Sequence, residues 1–297
     1  MPKMQKNKIS VIVTAFKEPK TIGKAITQLA KQKIANEIII VAPDKETLSE
    51  AEKLKKDFKE IKLLKDSGEG KPAALNLAAK KAKGNILVLT DGDVYVSDNS
   101  LKYLISKFKN QKVGAVSGRP VSASPKNEML GYWGYVLSSV AHDLRKNSIR
   151  NGRRIFCSGY LFAIKKELFP KLAPEILSED GYTSHKVYEK KYIIEYSPES
   201  EVYVKYPDNF KDWIKQKKRS VGGYNQIKKL LGANMRSFGQ ESSSFFKLFK
   251  YVNSIKDLCY LFVLFFARIY LWVLIYLDIN IRKKSHKDIW LRIESTK

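Results

Sequence analysis

The stretch Asn85-Ile86-Leu87-Val88-Leu89-Thr90, running straight into Asp91-Gly92-Asp93, decides how this chain folds. A short, nearly all-apolar run without a polar face predicts a strand buried on both sides, the kind found in parallel sheets. Residues 9–14, 37–42, 61–64 and 113–117 read the same way. Between them lie helical stretches: one after Pro19, which suits a first helical turn, one to about residue 58, one over 71–83 and one near 98–109. Strands alternating with helices predict an α/β domain, its mostly parallel sheet covered on both faces. In such sheets ligands gather at the carboxyl ends of the strands, here the loops 15–18, 43–45, 65–71 and 91–95.

Past residue 126 the pattern loosens. A long amphipathic helix (126–147), a strand (154–164), a helix opened by an acidic turn at 178–181 and a basic helix (208–231) are expected. A Ser-rich linker over 237–244 then leads to a different kind of segment. Residues 258–277 are apolar apart from Arg268. Twenty helical residues cover about 30 Å, the thickness of a bilayer core. Arg268 at its centre costs roughly 2.5–3.5 kcal/mol on the insertion scale, and the Leu, Ile, Val and Phe at about 0.3–0.6 kcal/mol each offset it. Basic residues flank both ends, Lys247, Lys250 and Lys256 before and Arg282, Lys283, Lys284 and Lys287 after. A single span places one basic flank outside, against the positive-inside tendency. A hairpin, or a helix lying in the interface, keeps both on one side. A buried soluble helix is the plain alternative. Two units are therefore expected, 1–235 and a membrane-associating 236–297.

Composition adds a partner class. The chain of 297 residues carries 55 Lys and Arg against 30 Asp and Glu, a net charge of +25. That excess favours polyanions: anionic membrane, phosphorylated substrate or nucleic acid. The aromatic residues concentrate in the apolar segment rather than among the basic ones, which argues against a specific nucleic-acid surface. Cys157 and Cys259 make no disulfide framework, and His142, His185 and His286 lie far apart, so zinc has little support. A reducing, cytoplasmic setting is the plain expectation for the catalytic part, and the first residues lack the apolar run of a signal peptide.

Several constellations can carry chemistry. Asp91-Gly92-Asp93 puts hard oxygen ligands for Mg²⁺ or Mn²⁺ beside a glycine that lets a diphosphate approach, although Asp-Gly is also a common turn pair. Asp44 ends the second strand and either accepts hydrogen bonds from a nucleotide or caps the next helix. Gly68-Glu69-Gly70-Lys71-Pro72-Ala73 has dinucleotide-motif spacing but follows the third strand, so a loop bringing Lys71 to phosphate is the more economical reading. Glu179-Asp180 sits in a first helical turn, where it caps the helix or supplies an ionised carboxylate base. Gln216 and Arg219 share a helix face, within reach of one phosphate or of anionic headgroups.

In order, these pieces resemble glycosyltransferase family 2, the inverting enzymes of the GT-A fold, over about residues 8–225. The resemblance implies nucleotide-contacting roles for Thr14, Ala15, Glu18 and Asp44. It places Gly70-Lys71-Pro72-Ala73-Ala74-Leu75-Asn76 beneath the donor and a metal, Mn²⁺ or Mg²⁺, on Asp91 and Asp93, with Asp93 favoured as direct ligand. Ser158, Gly159 and Glu179 then belong to the acceptor side, Asp180 is the base, and Gln216-x-x-Arg219 matches the Q-x-x-R-W signature of the synthase branch. The tryptophan of that signature is Ser220 here. With that departure, and one apolar segment or two half-length ones, transfer of one or a few sugars to a membrane lipid or lipid-linked acceptor is expected. A processive synthase subunit would need a partner's channel. A nucleotidyltransferase is the nearest rival, but its Gly-rich first loop is Ala15-Phe16-Lys17-Glu18 here.

Overall fold

The computed structural model describes residues 7–232, 246–278 and 295–296. The expected linker at 237–244, the basic residues 282–287, His286 and the unit boundary near 235 lie outside them.

Four strands, β1 (Ile9–Thr14), β2 (Glu37–Ala42), β3 (Ile61–Lys65) and β4 (Ile86–Asp91), pair in parallel in the order β3-β2-β1-β4. Alternate side chains explain their unbroken apolar sequences. Val11 and Val13 face one core, under α1 (Ile22–Ala30), α2 (Lys45–Lys53) and α4 (Ser100–Ser106). Ile12 faces the other, under α3 (Lys71–Lys81) and α6 (Glu179–Glu189). Because the chain winds outward from β1 and returns as β4 on its other side, the order reverses between these two strands. The switch point opens a crevice between their carboxyl ends, where Thr14 pairs with Asp91.

The second half of the sheet is mixed. β7 (Leu161–Lys165) runs antiparallel to both β4 and β6 (Val113–Ser122), while β8 (Ile193–Val204) lies parallel to β6 and carries the two-residue β5 (Tyr95–Val96) at the edge. The strand expected over 154–164 is thus much shorter and is entered through a Ser158–Leu161 bridge. β8 was not expected at all, because Ser197-Pro198-Glu199-Ser200 interrupts its alternation. There the pairing with β6 shifts register. Pro19 precedes the first helix, whose N-cap is Thr21, instead of lying inside it.

Two long helices cross the strand ends: α5 (Met129–Arg150) and α7 (Phe210–Leu231). Against both packs α8 (Ile255–Tyr276), one continuous helix, so the apolar segment is not two half-length pieces. Its Leu261, Leu264, Ala267, Leu271 and Ile275 share one buried face with Trp133, Val136 and Trp213. Polar ties fix the arrangement: Trp133 Nε1 donates to the Tyr260 carbonyl at 2.8 Å, Lys250 meets Asp143 at 2.8 Å, and Lys218 meets Asp278 at 2.7 Å. The opposite face (Phe262, Phe265, Phe266, Ile269, Tyr270 and Val273) is exposed. The helix is long and apolar enough to cross a membrane, yet one stripe of it is buried against α5 and α7.

Candidate active site

The site grows from the β1–β4 crevice. The Thr14 hydroxyl donates to Asp91 Oδ1 at 2.7 Å, fixing the first carboxylate of the Asp-Gly-Asp turn. Gly92 is required by its neighbours: a Cβ there would stand 2.6 Å from Glu18 Oε2 and 2.9 Å from both Ala15 Cβ and Ile22 Cδ1. The turn therefore closes tightly onto the loop after β1, bringing Glu18 beside it. Burial first, and then the charges of Asp93 and Glu18, push the Tyr95 hydroxyl up, so both carboxylates act on one small volume. Among the described residues no group of three or more His, Cys, Asp and Glu forms a metal cage. Two carboxylates around a glycine, all oxygen, suit a hard divalent ion that takes its other ligands from substrate phosphate and water.

Lys71 joins the two sides of the site. Its ammonium lies 2.7 Å from Asp91 Oδ1 and 2.7 Å from Glu179 Oε1. Burial pulls its pKa down, but the two carboxylates more than reverse that and hold it well above the usual lysine range. It is cationic at any physiological pH, poised at the head of α3 after Gly70, whose φ of 101° only glycine adopts easily. Glu179, expected on the acceptor side, is thus the counter-ion of a lysine that also grips the donor-side Asp91.

Asp180 is held as an acceptor of three hydrogen bonds. Its Oδ1 takes the Ser178 hydroxyl at 2.7 Å and the Gly181 N–H at 2.8 Å, and its Oδ2 takes the Gly159 N–H at 2.9 Å. Three donors fix its direction. At Gly159 a Cβ would stand 3.3 Å from that same Oδ2, so a larger residue would shift the carboxylate by a few tenths of an ångström. Ser158 is positioned through its N–H, which donates to Ser117 Oγ at 3.0 Å. From the other side α7 approaches closely: Gly223 allows contact with Ser178, and Gln226 bonds Leu177 and Glu175, pinning the segment that starts α6.

These groups open into a cleft of about 970 Å³ between the strand ends and helices α5, α6, α7 and α8. Lys71, Asp91, Ser158, Gly159, Glu179, Asp180, Gln216 and Arg219 all line it, so the structure brings most of the expected residues together. Gln216 is buried, and its Oε1 has no hydrogen-bond partner. Thr14, Ala15, Glu18, Asp44 and Asp93 lie outside the cleft wall, around the crevice itself. Asp44 performs the capping role: Oδ1 accepts from Thr47 N at 3.0 Å and Oδ2 from Lys17 N at 2.7 Å. Burial raises its pKa, but those hydrogen bonds outweigh burial and hold the carboxyl below the usual range. Sequence reasoning missed Arg145 and Tyr206 in the cleft wall, because nothing in their spacing marks them. Of the thiols, Cys157 is buried and pushed up to about 12 by that burial, while Cys259 is exposed.

Known proteins agree with this architecture. The fold resembles the mannosyltransferase PcManGT from Pyrobaculum calidifontis, solved in complex with GDP-Man and Mn²⁺, with a TM-score of 0.62 over 95% of this chain and 89% of that one, at 16% identity. It also resembles GalNAc-T7, solved with UDP, GalNAc and Mn²⁺, with a TM-score of 0.54 over 82% of this chain and 54% of that one, again at 16% identity. In sequence, the poly-beta-1,6-N-acetyl-D-glucosamine synthase of Staphylococcus epidermidis is 25% identical over 229 residues, 74% of this chain and 55% of the synthase. The Staphylococcus aureus synthase is 24% identical over 227 residues, with the same coverage. The chain spans about half the length of these relatives. The model for glycosyl transferase family 2 matches residues 10–173, more than half of the 297, and the protein belongs to that family.

Proposed function

We propose that this protein is an inverting glycosyltransferase that moves a sugar from a nucleotide-diphosphate donor to a hydroxyl of a membrane-associated acceptor, one or a few sugars at a time. The observation that carries it is Asp180, a carboxylate oriented by three donors and lining the same cleft as Lys71 and Asp91. The donor lies across the strand ends of β1 and β4, the Lys71 ammonium and Arg219 countering charge on its diphosphate. Asp91 and Asp93 would hold Mg²⁺ or Mn²⁺, which supplies Lewis-acid neutralisation of the leaving group when bound. Asp180 takes the proton from the acceptor hydroxyl, which attacks the anomeric carbon opposite the departing diphosphate. Gly159 and Ser178 keep its lone pairs aimed during that transfer.

The test is a panel of nucleotide sugars offered with Mn²⁺ or Mg²⁺ and membrane lipid extract, reading nucleoside diphosphate release. One donor is turned over. Asp180→Asn lowers turnover about 10²–10⁴-fold with donor affinity kept, whereas Asp93→Ala weakens both. Donor binding absent by calorimetry would sink the nucleotide site. A second reading, a processive synthase subunit working with a partner's channel, is favoured by the synthases among its relatives. Product length separates the two. Ser220, where the synthase signature has tryptophan, favours short products.

A further inference from the structure

Lys71 sits on a carboxylate of the turn that suits a metal ion. Asp91 Oδ1 accepts the Thr14 hydroxyl at 2.7 Å and meets the Lys71 ammonium at 2.7 Å, so one arm of the Asp-Gly-Asp turn already carries a protein cation. Glu179 Oε1 grips the same ammonium from a different element, also at 2.7 Å. The lysine therefore has two seats. One is on the turn, the other on the first turn of α6, one residue before Asp180. The seats differ in access: the Glu179 side chain is 13% exposed and that of Asp91 22%, and both line the cleft with Lys71. Gly70 and Pro72 flank Lys71 and fix its backbone at the head of α3, so only its side chain can trade one seat for the other. A divalent ion and an ammonium on one carboxylate repel each other twice as strongly as two unit charges do.

Resting on the transferase reading above, we infer that Lys71 is a placeholder cation and Glu179 its positioning residue: Lys71 neutralises Asp91 until a divalent ion is bound, and then keeps its seat on Glu179 alone. In the free protein the lysine holds metal affinity at the turn down. Once it leaves Asp91 it stays tethered beside the turn, where the diphosphate of a nucleotide donor replaces the negative charge it has lost. Metal and nucleotide then bind more strongly together than either does alone, and that coupling is reciprocal. Glu179 acts through Lys71 and touches neither substrate nor metal. Without it the displaced ammonium has no counter-ion, and the lysine clings to Asp91.

The experiment titrates Mn²⁺ into the full chain in nonionic detergent and reads the free ion by electron paramagnetic resonance. Lys71→Met tightens Mn²⁺ binding at least about fivefold, an effect that mere loss of structure does not produce. Lys71→Arg keeps the charge and stays close to the parent. Glu179→Gln moves the affinity the other way, weakening it about threefold, and carries the proposal should Lys71→Met fail to fold. The double change matches Lys71→Met, because Glu179 acts only through the lysine. Lys102→Gln, an exposed change on α4, alters nothing. Unchanged or weaker Mn²⁺ binding in folded Lys71→Met overturns the placeholder. If Glu179→Gln weakens binding by the same factor with and without Lys71, Glu179 is an independent charge and its positioning role falls. UDP and GDP are then titrated at fixed Mn²⁺ by calorimetry, where Lys71→Met weakens the better-bound nucleotide at least about tenfold. The metal pattern without binding of either nucleotide sinks the donor reading alone, and nucleotide binding without the metal pattern sinks the placeholder alone.

Discussion

At the residue scale, each carboxylate of the site is defined by what holds it. Asp91 is fixed by Thr14 and Lys71, Asp180 by three donors, and Asp44 by two backbone N–H groups. Asp44 gives a measurable consequence. Its folded pKa lies below the ordinary 3.8, so its stabilisation is complete above that value and is lost as pH falls through the depressed one. Asp44→Ala removes a helix cap and costs about 1 kcal/mol at neutral pH. In denaturant unfolding the difference between variant and parent shrinks towards pH 2. A difference constant across that range would mean the charge contributes nothing. Asp44 and Asp180 were both legible in the sequence as residues, but their distant partners were not, because Lys17 and Gly159 are brought to them by other loops.

At the element scale, α8 serves two masters. Its buried stripe repeats at three- and four-residue intervals and locks onto α5 and α7, while the rest faces outward. The two faces are separable. Leu264→Ala, at a fully buried position, costs about 2–5 kcal/mol of unfolding stability. Phe266→Ala, which is 65% exposed, leaves stability within about 0.5 kcal/mol but weakens membrane association in vesicle sedimentation. If both changes alter stability equally, the helix is not docked as described. The sequence showed a 20-residue apolar run but not which side was covered, since every side is apolar and periodicity carries no signal there. β8 was hidden for the opposite reason: its alternation is broken by a proline where the strand bends.

At the scale of the whole molecule, a basic protein presents an apolar helix face beside its candidate active-site cleft. The net charge of +25 predicts that association with anionic vesicles exceeds that with neutral ones at low salt. It should fall at least about tenfold when ionic strength is raised to 0.5 M, where screening is short-ranged. Equal, salt-independent association with both vesicle types would assign attachment to the apolar face alone. The sequence by itself determined the α/β class, the strands β1 to β4, the Asp-Gly-Asp turn and the family. All of these follow from local periodicity and from motifs that sit on single loops. Only the tertiary structure decided that Lys71 bridges Asp91 and Glu179, that Gly159 aims Asp180, and that Arg145 and Arg268 share the cleft wall. Those contacts join residues 20 to more than 100 positions apart, and chain distance carries no record of which helices will lie together once the sheet has closed its core.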